Sequence, residues 1–274
     1  MKKTIAKRIA ALVFATALAV PTLALAACKE NSGHNPNDPG TGGDELRSEK
    51  VNDAAAWKAA FDFSGVTSGK CDQTFISTVN GVTGRTNKFY IATDDNIAYS
   101  YYADVNAESG ELVKRDEQYV RYEADELWNG STDGEGTVYE YLYDDDDEAW
   151  YYTKYSTDRR PMATMAMYVQ RCDELKQYLA EGNGKISDLY ARFVYDDTKG
   201  LYVYELAADD FASDEISAVT IMISIKNGKL HTATILATGQ EGDINYETET
   251  QHEYSDLNST TLTLPEGATE KQGD

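Results

Sequence analysis

The stretch from Tyr139 to Tyr155 reads YEYLYDDDDEAWYYTKY, with five consecutive acids, Asp144 to Glu148, between runs of aromatic residues. Carboxylates at this density could hold a divalent cation, serve as a general acid and base, or only turn the chain. A calcium loop needs oxygen ligands at alternating positions around a glycine bend, and this run has neither the spacing nor the glycine. Alternation puts Tyr139, Tyr141 and Tyr143 on one face of an incoming strand, and Trp150 and Tyr152 on one face of an outgoing one. Aspartate favours turns because its side chain bonds its own backbone. The acids are therefore expected to form a solvated turn, with cation binding weak and opportunistic and a catalytic carboxylate pair disfavoured.

The remaining reactive side chains do not assemble a motif. His34, His231 and His252 are the three histidines, and none sits in H-E-x-x-H or another ligand spacing. No G-x-S-x-G elbow, phosphate loop or dinucleotide fingerprint is present. Cys71 and Cys172 have no metal-ligand spacing. In an exported protein they could pair as a disulfide; two buried free thiols are slightly favoured, because Cys172 falls in an apolar helical stripe. The reading is of a protein that is not an enzyme and has neither catalytic residues, metal nor cofactor. Tyr99-Ser100-Tyr101-Tyr102 and Tyr202/Tyr204 could stack on sugars or wall a cavity.

The elements that must position these residues are mostly strands. Asn52 or Asp53 can cap a short helix, Ala54 to Ala60, that presents Trp57 and Phe61 on one side. A period of two then predicts strands at 73–79, 86–93, 97–105, 118–124, 137–143 and 149–155. Asn80-Gly81 and Asn129-Gly130 are among the turn signals between them. After Pro161 the period becomes helical: Met162, Met165, Val169, Cys172 and Leu179 share a face, with Gly182 to Gly184 as the stop. Strands resume at 191–195, 201–206, 217–226, 229–237, 243–254 and 260–264, with Asn227-Gly228 as a hairpin. The fold class expected is α+β: one large curved antiparallel sheet, half-barrel-like, with helices packed on one face.

The ends differ in composition from this body. Lys2, Lys3, Lys7 and Arg8 precede an apolar run of about Ile9 to Val20, too short for a membrane span, and then small residues before Cys28. Residues 28–50 contain glycine, proline, asparagine and charge and almost nothing apolar, so they are expected as a flexible tether. The domain itself is placed at 51–265, with a polar tail at 266–274. The net charge is −22. Removing Met1 to Ala27 takes away four basic residues and no acid, leaving −26 for the mature chain. Nucleic acid and bare anionic membrane are repelled by such a surface. A monomer is expected.

Leu25-Ala26-Ala27-Cys28 resembles the lipobox of bacterial lipoproteins. The resemblance implies a signal peptide over 1–27, acylation of Cys28 by palmitate-like chains, and an anchor in membrane lipid on the extracytoplasmic face. Acyl chains stabilise such an anchor by about 0.8 kcal/mol per buried methylene. The lipobox and tether, WKAAFDFSGVTSGKCDQT, FVYDDTKGLYVYEL and TLTLPE together resemble a group of surface lipoproteins of gut anaerobes. The order sheet, helix, sheet is similar to the LolA and LppX-like half-barrel lipoproteins, whose concave face holds acyl chains under helices. That likeness implies a carrier of an apolar or amphipathic ligand, such as a lipid, with Met162, Met165, Val169 and Trp57 as ligand-binding candidates. Methionine adapts to varied ligand shapes, although an ordinary core-facing helix explains the same stripe. The alternative is a structural or adhesive surface protein that recognises glycan or protein through exposed tyrosine and tryptophan.

Overall fold

The computed structural model describes residues 47–94, 96–124, 133–159, 164–174, 184–206 and 216–271. Cys28, His34, Met162 and Leu179 lie outside them, as do Met1–Ala27 and the Asn129-Gly130 turn signal. The first strands form an antiparallel meander: β1 (Gly69–Val79), β2 (Val82–Thr93), β3 (Ile97–Asn106), β4 (Leu112–Ala124), β5 (Asp133–Asp144) and β6 (Ala149–Arg159). A second meander follows: β7 (Val194–Asp196), β8 (Leu201–Leu206), β9 (Ile216–Lys226), β10 (Lys229–Glu241) and β11 (Ile244–Ser255). β11 pairs with β1 from Lys70↔Ser255 to Val79↔Tyr246, which joins the two meanders into one curved sheet. With β12 (Thr269–Glu270), the order is β12-β6-β5-β4-β3-β2-β1-β11-β10-β9-β8-β7. Asn80-Gly81 and Asn227-Gly228 have φ of 51°, 76° and 53°, 68°, the left-handed pair that a two-residue hairpin of this twist requires.

Two helices cover one half of one face. α1 (Ala54–Ala60) is alanine-rich, and Asp53 caps it by accepting hydrogen bonds from Ala55 N and Ala56 N, both at 2.9 Å. α2 (Met165–Asp173) ends earlier than its stripe predicts, because Glu174 turns extended and bridges to Lys185. Between the helices and β1, β11, β10, β9 and β8 lies the main core, with Trp57, Phe63, Met165, Ile221, Ile223, Ile225 and Leu230 at 2% exposure or less. A smaller core of Val120, Tyr122 and Val138 serves the β4–β5 region.

Both ends of the domain extend past the expected boundaries. The tether was expected to run to Lys50, yet Ser48 N donates to Gly200 O and Glu49 N to Ile225 O. The Glu49 carboxylate also accepts from the amides of Asn227 and Gly228. The nominal tail returns as β12, parallel to β6 at Tyr151 and Tyr152. The strand expected at 191–195 is shortened to β7 (Val194–Asp196), and the one expected at 260–264 does not form. Residues 190–192 form a 3-10 turn before β7, and 260–264 run irregularly.

Candidate functional site

The ladder registers sort each strand residue to one of two faces. Cys71, Tyr254, Ile223 and Tyr202 point to the helix side, where Trp57 packs on Tyr202 at 5.1 Å between ring centres. Of the carrier candidates, Trp57, Met165 and Val169 are on this side and are consumed by the core, while Met162 lies outside the described residues. Met165 and Trp57 are 0% exposed and Val169 is 1% exposed. Met165 lies so close to β1 that a Cβ on Gly69 would stand 3.2 Å from its Cγ. The indole N–H of Trp57 donates to Ile186 O at 3.0 Å. Tyr202, expected as a stacking residue, is also core, and its hydroxyl accepts from Val51 N.

The opposite, outer face is divided in two. Over β9, β10 and β11 it carries Thr220, Thr234, Thr238, Glu249 and Glu253, with Met222 and Leu236 among them and no aromatic ring on these positions. Over β2 to β6 it is aromatic. Ring centres follow one another from Tyr90 to Tyr99 (5.7 Å), Tyr119 (4.6 Å), Trp150 (5.4 Å) and Tyr143 (5.4 Å). A parallel set joins Tyr141, Tyr152 and Tyr139 at 5.3 and 6.3 Å. Tyr101 extends the field beside Tyr90, its register partner. Cross-strand aromatic pairs of this kind stabilise a sheet by roughly 0.2–1 kcal/mol each. Most of these rings are half-buried, so each keeps an edge or face toward solvent. Arg115 stands over Tyr143 at 5.0 Å and Arg121 over Tyr139 at 5.5 Å.

A fork opens in the sheet beside this field. β4 pairs with β3 from Leu112 to Arg121, but its pairing with β5 begins only at Gln118↔Leu142. β5 stays with β6 to Asp144↔Ala149. Glu117 and Tyr143 therefore diverge, and a groove of ≈ 390 Å³ lies between them, walled also by Arg115, Leu142 and Tyr152. Arg115 reaches across the mouth to Asp145, Nη2 to Oδ1 at 2.5 Å. Glu117 is 7% exposed, and its burial pushes the carboxyl up to about 7, with Arg115 lowering it and Asp145 raising it.

The five acids are a turn, as the sequence suggests, but an engaged one. Asp144 Oδ1 accepts from the amides of Asp146 and Asp147, which holds its carboxyl below the usual range. Asp147 accepts from Tyr151 Oη at 2.7 Å, and Lys271 lies 3.4 Å from Asp144. His252 is buried beside Tyr254, and burial lowers it to about 4. His231 Nδ1 is 3.0 Å from Tyr254 O. Cys71 and Cys172 are free and buried, and burial pushes the Cys172 thiol up to about 12. Glu117 and Arg115 were not singled out from the sequence. The signal that could have found them is their shared alternation with Tyr119 in RDEQY.

No protein-family model and no curated protein matches the chain. Among solved structures it is similar to a DUF1329 family protein from Desulfovibrio piger: TM-score 0.23, 12% identity, covering 74% of this chain and 91% of that one. MucB in complex with MucA(peri) follows at TM-score 0.16 and 12% identity, covering 74% and 94%. A hot dog fold protein from Alicyclobacillus acidocaldarius gives 0.11 and 11%, covering 74% and 84%. Scores this low carry no argument about function.

Proposed function

We propose that this chain is a non-enzymatic recognition protein, held on the extracytoplasmic face of the membrane through acylated Cys28, whose aromatic outer face binds carbohydrate. The observation that carries the reading is the unbroken aromatic field on β2 to β6, on the face away from both helices. A tyrosine or tryptophan ring offers a flat apolar surface to a sugar ring and a polar edge to its hydroxyls. Arginines and acids between the rings supply further donors and acceptors. The neighbouring threonine and glutamate surface of the same sheet sets the comparison, since an ordinary solvated face needs no such field.

The carrier reading loses three of its four named residues, because Trp57, Met165 and Val169 fill the core. The open curved sheet stays compatible with a half-barrel that holds a ligand elsewhere. The test is a glycan array probed with the purified chain and with Trp150→Ala. Retention of a neutral glycan family, weakened roughly fivefold to thirtyfold by the substitution, is expected if the lost stacking contact contributes about 1–2 kcal/mol. An array with no retained glycan, or equal retention by the variant, would sink the proposal.

A further inference from the structure

We infer that the fork between β4 and β5 is a subsite for an organic cation, a protonated amine or quaternary ammonium, with Glu117 as its counter-ion and Tyr143 and Tyr152 among its walls. The inference rests on the carbohydrate reading for the rest of the face, and an amino sugar would satisfy both. Its starting point is an accounting of the acids that line the groove. Asp116 is paired with Lys114, Asp145 with Arg115, and Asp144 with Lys271 and two backbone amides. Glu140 accepts from Tyr155 Oη at 2.8 Å. Glu117 is the exception among the described residues: it is more than nine-tenths buried, lines the groove, and has no hydrogen-bond partner.

A carboxylate in that position is costly unless something neutralises it. The nearest fixed cation, Arg115, is committed to Asp145 across the mouth and stacks on Tyr143. Register places Tyr101 opposite Glu117 on the outer face, and Tyr143 stands across the fork. Rings beside a carboxylate attract a cation through their quadrupole as well as its charge. The overall charge of −22 draws cations toward the surface. A neutral sugar would leave the Glu117 charge as it is; an ammonium group would remove it.

The experiment titrates the full chain with glucosamine, choline and N-acetylglucosamine, read by saturation-transfer NMR at pH 6 and pH 8. Glucosamine at pH 6 and choline should bind, N-acetylglucosamine should bind more weakly, and binding of choline, whose charge is fixed, should strengthen toward pH 8 as Glu117 ionises. Arg115, Asp116, Glu140, Tyr143, Asp144, Asp145 and Lys271 are charged or titratable groups that line the groove with it, and Tyr101 faces it from β3. Glu117→Gln should reduce amine binding at least tenfold. Tyr143→Ala should weaken choline while leaving the charge in place. Absence of choline binding at pH 8, or binding unchanged in Glu117→Gln, overturns the inference. If neutral oligosaccharides bind and amines do not, the carbohydrate reading stands and this inference falls. If amines bind through Glu117 and no neutral glycan does, this inference stands and the carbohydrate reading falls.

Discussion

Glu117 and His252 are titratable groups whose folded environments oppose one another. Glu117 is raised from 4.5 to about 7, so the folded chain holds its proton more tightly than the unfolded one. Its contribution therefore falls as pH rises from about 4.5 through about 7. His252 is depressed from 6.5 to about 4, so its contribution is present above 6.5 and lost as pH falls toward 4. Glu117→Gln is expected to leave stability nearly unchanged at pH 4.5 and to raise it above pH 7, on the order of 2 kcal/mol. Thermal melts of both proteins across this range check the sign, and a variant less stable at pH 8 contradicts it. A second residue-scale expectation concerns Gly136, where an added Cβ would lie 2.5 Å from the Tyr122 ring. Tyr122 is 1% exposed and has little room to move. Gly136→Ala should cost about 1–3 kcal/mol in urea denaturation, the usual range for overpacking.

At the scale of elements, short helices and sheet edges depend on a few polar contacts. α1 has seven residues and cannot hold itself by propensity alone. Asp53→Ala should destabilise the domain by about 0.5–2 kcal/mol, and Asp53→Asn should recover most of that loss. Full stability in the alanine variant would mean that Trp57 packing alone fixes the helix. β12 protects the β6 edge at Tyr151 and Tyr152 and brings Glu270 to Lys154 and Tyr152. Truncation after Pro265 should expose that edge and speed amide exchange in β6, with little effect on β9 or β10. Hydrogen exchange read by mass spectrometry distinguishes this from a frayed tail, which would leave β6 unchanged. The short, exposed salt bridges add little to either element.

At the scale of the whole molecule, the proposed membrane retention rests on Cys28 alone. Cys28→Ala should release the protein from the membrane and abolish incorporation of labelled fatty acid, while the melting temperature of the domain stays the same. Unchanged retention and labelling would remove the anchor from the proposal. Cys71 and Cys172 belong to the domain instead. Their burial beside Tyr254 should make both inert to a thiol reagent in the native state and both reactive after denaturation without reductant.

Local periodicity was enough to determine the α+β class, the two meanders, the Asn-Gly hairpins and the turn at Asp144 to Glu148. Each depends on neighbours a few residues apart, where alternation and turn chemistry act directly. Alternation also grouped Tyr139, Tyr141 and Tyr143 on one face. Which face the helices would take was a different matter, because β1 and β11 meet only after the 164 residues between Val79 and Ile244. That pairing puts Trp57, Met165 and Val169 against β1 and β8 to β11 as core, although their stripe reads equally well as a ligand surface. It also leaves the tyrosine field uncovered by either helix. Ser48 and Glu49 looked like tether because nothing local distinguishes them; their bonds go to Gly200, Ile225 and Asn227. The fork at Glu117 was illegible for the same physical reason. Where one ladder stops and the next continues is set by how the whole sheet curves, and no short window of residues contains that curvature.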